Sequence, residues 1–227
     1  MELRLEGIAV RFDGAPALSD VSVAFPFGAH VGICGGPGSG KTTLLKVLAG
    51  LRRPDEGRVL WDGEDVWALS PATRRDRQAA FGMVFQSDAL FDSETILMNV
   101  EVPLLRRGVP APEARARALE ALGDVGITEA ADLLPDQLSG GMRKRAGIAR
   151  AIAARPKVLL ADDPLAGLDP STAAQIARVL RRVAQDRTLV LAVPDPLAQL
   201  RLPRWIRLEA GRIVEDGPAN GVTPDTV

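Results

Sequence analysis

The 227-residue chain has one cysteine, Cys34, and one histidine, His30. A single thiol excludes an internal disulfide and fits a reducing compartment. A lone histidine has no ligand cluster around it, so His30 reads as a structural residue at the head of a strand. Cys34, further along that strand, reads as a small buried hydrophobe. Positive charge is in no surplus: 28 Lys+Arg stand against 29 Asp+Glu. That balance gives no argument for nucleic acid as a partner. No apolar run approaches the ~20 residues a membrane helix needs. The first ten residues, MELRLEGIAV, are charged from residue 2 and lack a signal-peptide apolar region. Any membrane role is therefore expected to come through a partner. No internal repeat or low-complexity tract is visible. What remains is a globular composition, 46% hydrophobic and 25% charged, with enough apolar residues for a real core.

Short apolar segments alternate with helical patterns. Ile8, Val10 and Phe12 alternate with Ala9 and Arg11, and Asp13-Gly14 then marks a turn. Leu18, Val21, Val23 and Phe25 suggest a second strand, and His30 to Cys34 a third. Thr42 to Leu51 carries Leu44, Leu45, Leu48 and Leu51 at helical spacing. Arg58 to Trp61 followed by Asp62-Gly63 predicts a hairpin, and Phe81 to Phe85 a strand. Beyond residue 87 the pattern turns helical. Pro112-Glu113 reads as a helix start, with Ala114, Ala118, Leu119 and Leu122 along one face. Gly140 to Ala154 is another helix; Val158 to Ala161 and Thr188 to Val193 are strands with a helix between. Trp205 to Val214 reads as a hairpin, and GPANGVTPDTV as loop. Such alternation predicts a parallel α/β sheet, with residues 87–155 as a helical insertion.

The sharpest local signal is GGPGSGKT, Gly35 to Thr42, between a strand and a helix. This is the context of the P-loop pattern G-x-x-x-x-G-K-[ST]. Glycines let backbone N–H groups turn inward around an anion, and the helix N-terminus adds partial positive charge. Lys41 can reach β- and γ-phosphates, and the Thr42 hydroxyl can ligate Mg²⁺. The candidate nucleotide-binding residues here are Gly35, Gly36, Pro37, Gly38, Ser39, Gly40, Lys41, Thr42 and Thr43.

A second candidate anion site is LSGGMRKRAGIARAIAARP, from Leu138. Ser139 is a good N-cap, and Gly140 and Gly141 leave the helix start open. Arg143, Lys144 and Arg145 crowd the first turn, where cations oppose the helix dipole. Taken alone, that run reads as a solvated basic face or as the mark of an approaching anion.

These segments, in order, resemble the ATP-binding cassette (ABC) ATPases along nearly the whole chain. GGPGSGKT is similar to Walker A, Gln86 to the Q-loop residue, and LSGGM to the signature. VLLADD, Val158 to Asp163, is similar to Walker B, and AGLDP, Ala166 to Pro170, to the D-loop. The resemblance implies one ABC ATPase domain over residues 1–227, with an α/β P-loop NTPase (RecA-like) core. The core would span residues 1–86 and 156–227, joined by an antiparallel β subdomain. An inserted α-helical signature subdomain would span residues 87–155. It further implies ATP and Mg²⁺ as cofactors, and a head-to-tail dimer. Ser139, Gly140 and Gly141 of one subunit would cover ATP on the P-loop of the other, explaining the basic helix start. Asp162 would hold Mg²⁺ through water, alongside Thr42 and Gln86. Gln86 would also sense the attacking water and link to a membrane partner. Phe12 stands where the family places an aromatic that stacks on adenine, although its spacing with Ile8 and Val10 fits a core strand equally well.

Two positions depart from the family, and both concern hydrolysis. Asp163 stands where a catalytic glutamate usually polarises water, one methylene shorter. In LVLAVPDPLAQL, Pro194 stands where a switch histidine usually contacts the γ-phosphate. Proline offers neither a side-chain donor nor an N–H. The signature also ends in Met142 rather than glutamine. The resemblance therefore implies intact ATP binding and an ATPase with weakened chemistry, Lys41, Gln86 and Asp163 being its candidate catalytic residues.

LSGGM and FQSDALFDSETILMNVEVPL are similar to the Mla-type ATPases, which energise phospholipid movement with a permease and an MCE-type lipid-binding protein. The expected partners are thus a second cassette, a permease and an MCE-type protein, with no nucleic acid. The expected location is the cytoplasmic side of a bacterial inner membrane. The alternative is a regulatory or degenerate partner cassette in a heterodimeric, lipoprotein-release or cell-division complex.

Overall fold

The computed structural model describes residues 1–87, 89–196 and 200–218. In a four-stranded antiparallel sheet, β1 (Leu3–Phe12) turns into β2 (Ala15–Phe25), and β4 (Glu56–Trp61) turns into the short β5 (Glu64–Asp65). The order is β2–β1–β4–β5. Both turns are Asp-Gly pairs with positive φ at each residue (Asp13 and Gly14, Asp62 and Gly63). That is the backbone a tight hairpin needs.

The second sheet contains β3 (His30–Cys34), β6 (Phe81–Val84), β7 (Val158–Asp162), β8 (Thr188–Ala192), β9 (Arg204–Glu209) and β10 (Arg212–Pro218). Its order is β10–β9–β3–β8–β7–β6, all parallel except edge strand β10. β7 and β8 are buried along their whole length, as strands covered on both sides are. Alternation sends Val158, Leu160, Val190 and Ala192 into one core, and Leu159, Ala161, Leu189 and Leu191 into another. The first core packs α1 (Lys41–Leu48) and the antiparallel sheet around Trp61 and Phe25. The second packs α3 (Ile96–Leu105), α4 (Ala111–Val125), α5 (Gly140–Ile152) and α6 (Pro170–Val183). The mixed α/β architecture predicted above is the one observed.

Several local expectations shift. β1 begins at Leu3, and register irregularities at Leu5/Ile8 and Ile8/Val10 hide the alternation of its first half. α1 ends at Leu48, before Gly50 at φ 65°, and leaves Leu51 exposed. On α4, Ala121 and Val125 are buried where Leu119 was expected, Leu119 being only partly covered. A further helix, α2 (Pro71–Gln78), is capped by Ser70, which accepts from the Thr73 N–H. None of its residues is buried, so it has no apolar periodicity to read. The predicted terminal loop falls in part on β10; residues 219–227 lie outside the described residues. The structural reading of His30 matches its surroundings: Nε2 lies 3.0 Å from the Ala184 carbonyl oxygen and 3.2 Å from that of Arg187. Cys34 is fully buried, and that burial pushes its thiol up.

Candidate nucleotide site

β3 runs directly into the P-loop, and three neighbouring elements close on it. The Gly35 N–H donates to the Pro194 carbonyl oxygen at 2.9 Å, just past β8. The Gly211 N–H donates to the Ser39 carbonyl oxygen at 3.1 Å. A Cβ at Gly35 would strike the Leu208 carbonyl oxygen of β9. One at Gly40, where φ is 103°, would stand 2.5 Å from the Ala17 carbonyl oxygen. Only glycine allows both the backbone angle and the approach. On the outer side, Gly36, Pro37 and Gly38 are exposed, and nothing lies within 4 Å of a Cβ built at Gly36 or Gly38. α1 starts at Lys41 with no side-chain cap, so its first N–H groups face the same open space. Open donors, positive dipole and room together fit a polyphosphate.

Lys41 Nζ donates to the Gly35 and Gly36 carbonyl oxygens, at 2.5 and 2.9 Å, and to Ser39 Oγ at 3.3 Å. Burial lowers its pKa, and the nearby Asp162 and Asp163 charges oppose that shift. Thr42, Gln86 and Asp162 line one cleft of about 490 Å³, together with Phe85 and Gly167. Asp162 ends β7, while Thr42 opens α1 and Gln86 follows β6. A hydroxyl, an amide and a carboxylate around one cleft are hard oxygen donors, the set Mg²⁺ prefers. Among the described residues no cluster of three or more His, Cys, Asp or Glu offers a competing metal site.

The exposed Ser139 caps α5, accepting from the Met142 N–H at 3.3 Å. Ser139, Gly140 and Gly141 line a separate cleft of about 480 Å³ beside Asp169 and Thr172, with no P-loop residue in its walls. Asp169 caps α6, accepting from the Ser171 and Thr172 N–H groups at 3.0 and 3.1 Å. Hydrogen bonds from Thr172 and Ser171 hold its carboxyl well below the usual carboxylate range.

Each cation of the basic run has a hydrogen-bond partner within its own chain. Arg143 donates to the Leu138 carbonyl oxygen at 2.7 Å. Arg145 donates to the Val125 carbonyl oxygen at 3.1 Å and to Gln175 Oε1 at 2.7 Å. Lys144 is buried and donates to the Gln86 carbonyl oxygen. Sequence reasoning missed this inward lysine, although Lys144 shares the buried face of α5 with Ile148 and Ile152 at helical spacing.

Residues 18–166, which hold the P-loop, Gln86, Ser139 and Asp162, match the family described as ABC transporter. The chain belongs to the ABC transporter family. It is 42% identical to the methionine import ATP-binding protein MetN 1 of Rhodococcus jostii over 205 residues, 88% of this chain and 60% of that relative. With MetN of Caulobacter vibrioides it shares 41% identity over 212 residues, 92% of this chain and 64% of the relative. The chain thus spans about 60% of the length of these curated relatives. Among solved structures, it superposes on the dimeric structure of MJ0796, a bacterial ABC transporter cassette. The TM-score is 0.87 at 31% identity, covering 96% of this chain and 99% of that one. The dimeric post-hydrolysis state of that cassette, bound to ADP and Pi, gives a TM-score of 0.86 at 31% identity, with the same coverage.

Within this ABC cassette, the two unusual positions both sit at the P-loop. Asp163 lies at φ 42° with its N–H donating to the Ala192 carbonyl oxygen at 2.8 Å. A non-glycine residue held there costs about 1 kcal/mol, so the backbone around it fixes the carboxylate firmly. Burial, then Asp162, push its carboxyl up; Lys41 and Lys144 pull the other way. If Asp163 serves as the base for an attacking water, it works only when ionised, and a raised pKa means protonation begins at higher pH. Activity is therefore expected to fall on acidification with a midpoint above the ~3.9 of an ordinary aspartate. A pH–rate profile that stays flat down to pH 4 would contradict this. Pro194 is exposed just past β8, and its carbonyl engages the loop through Gly35.

Phe12 is 49% exposed at the end of β1, unlike the buried Ile8 and Val10, so it is not a core residue. The Arg52 guanidinium lies 4.9 Å from its ring centroid. If adenine stacks on this ring, Phe12→Ala should weaken ATP binding about tenfold, the worth of one base–aromatic stack. Affinity for inorganic tripolyphosphate should not change. Titration calorimetry with both ligands checks the pair.

Proposed function

We propose that this chain is the ATP-binding subunit of an ABC transporter, holding Mg–ATP between two head-to-tail cassettes and hydrolysing it to drive a membrane permease. The observation that carries this reading is one cleft that gathers Thr42, Gln86 and Asp162 at the mouth of an open phosphate loop. Magnesium bound there would neutralise charge developing on the β- and γ-phosphates. Lys41 would leave its contacts with the loop carbonyls and take up the phosphates. Gln86 and Asp163 would orient water for attack. The separate cleft around Ser139 supports completion of the site by a second copy, as do the dimeric cassettes the chain resembles. Residues 87–155 would move as a helical unit against the core.

No helix among the described residues is long and apolar enough to cross a membrane. Attachment through a permease at the cytoplasmic face is the reading that fits transport. For cargo, the curated relatives named above are methionine import ATP-binding proteins, and none of them supports the lipid transport or MCE-type partner expected from the sequence. The Mla-type reading is left with its local resemblance alone, and amino-acid import is the better-supported proposal.

ATP titration with and without Mg²⁺, followed by light scattering, tests the core of this reading. Saturable, Mg²⁺-dependent binding and ATP-driven dimerisation are expected. Absence of binding at millimolar ATP would refute it. Co-purification from membranes tests the permease, and the permease's own substrate decides the cargo.

A further inference from the structure

α5 does two things at once. Its N-terminus carries Ser139, Gly140 and Gly141, and from about one turn on, its side chains hold the loop that contains Gln86. Lys144 donates to the Gln86 carbonyl oxygen, and Arg150, six residues further along the same helix, donates to the Ala89 carbonyl oxygen. Ala89 lies at φ 49°, a strained backbone that these contacts help to hold. Lys144 is 7% exposed, and the residues that share its face, Ile148 and Ile152, are apolar. A lysine is almost never buried this far without a specific partner. An apolar side chain there would pack against the same neighbours without desolvating a charge. The lysine thus does something that packing does not require. Its charge also acts on Asp163, the carboxylate beside the metal cleft.

We infer that Lys144 is a positioning residue that transmits engagement of the signature by nucleotide on a second cassette to Gln86 in its own cassette. This rests on the head-to-tail reading proposed above. α5 is one hydrogen-bonded body, so a shift imposed at residues 139–141 is carried to residue 144 and on to the backbone of Gln86. Gln86 lines the cleft that would hold Mg²⁺, so moving its backbone would re-aim its amide within that cleft. Each cassette would thereby sense that its partner is loaded before its own Gln86 is in place.

The test is single-turnover cleavage of radiolabelled ATP by the full chain, with ATP affinity measured in parallel. Lys144→Met is expected to slow cleavage about tenfold with ATP affinity unchanged within about twofold. Lys144→Arg should restore most of the rate. Ser139→Ala should also slow cleavage, and adding Lys144→Met to it should cause little further loss, because the two act in series. Multiplying losses in the double variant, or a parallel fall in ATP affinity, would overturn the inference and leave Lys144 a structural residue. A Ser139→Ala protein cleaving at the parent rate would refute the head-to-tail reading itself, and the inference with it. Should Lys144→Met fail to fold, Lys144→Gln, which keeps a donor and drops the charge, serves the same comparison.

Discussion

Lys41→Ala is expected to weaken ATP binding about 100-fold and to reduce hydrolysis by about 10³-fold or more. The first figure corresponds to losing a charged hydrogen-bond donor to phosphate. The second adds the loss of a cation aimed at charge that develops during phosphoryl transfer. The fold should survive. Among the described residues Lys41 bonds to its own loop, through Gly35, Gly36 and Ser39, while the loop is held from outside by Pro194 and Gly211. Circular dichroism and the unfolding midpoint should therefore match the parent protein, while calorimetric titration with ATP shows the loss. Parent-like ATP affinity in a folded Lys41→Ala protein would remove the P-loop from the proposed site.

The second large effect runs the other way. Asp163→Glu combined with Pro194→His is expected to raise the turnover of the parent chain by about 10²-fold. Misplacing a reacting group by about 1 Å can cost that much, and the shorter arm of Asp163 gives such an offset. A histidine at residue 194 would add a donor near the γ-phosphate, a contribution of similar size where donors are pre-placed. The exchange also has a cost of up to about 1 kcal/mol in stability, because proline limits the unfolded chain. Residue 194 keeps its carbonyl in either form, so the bond to Gly35 can persist. Steady-state ATPase at saturating Mg–ATP reads the result. A parent turnover already within the usual enzyme range of about 1–10³ s⁻¹, unmoved by both changes, would show that Asp163 and Pro194 do not limit this cassette. Separate single variants would show whether the arm length or the missing donor matters more.

What could be read from the sequence follows from how local each signal is. The P-loop was legible because its glycines, lysine and threonine are contiguous, and because Gly35 and Gly40 answer steric demands at single positions. The strands of the parallel sheet were legible because burial on both faces leaves short unbroken apolar runs, as in β7 and β8. α2 was not, since it buries nothing and is held by its cap and by flanking contacts. Thr42 was read as a Mg²⁺ ligand from the P-loop pattern, whereas Gln86 and Asp162 joined it only through resemblance: the residues that share this cleft are far apart in the chain, and no spacing rule joins them. Lys144 was misread because a run of three cations looks like surface, and helical phase alone places the middle one inside. The left-handed backbone at Asp163 had no signal at all, since it is imposed by the close pass of β8 at Ala192.

The position of β3 also sets a timetable. Both of its neighbours come from far downstream: β8 begins at Thr188 and β9 at Arg204. The backbone anchors of the P-loop lie between Pro194 and Gly211. While the chain is being made, residues 30–43 therefore emerge long before β8, β9 and the anchors at Pro194 and Gly211 can hold them. Pairings that span more than 150 residues close slowly and late. ATP is therefore expected to bind only after residue 211 has left the exit tunnel and the last of these anchors has closed. Until then the exposed edges of β3 depend on the surrounding cell to keep them apart from other chains.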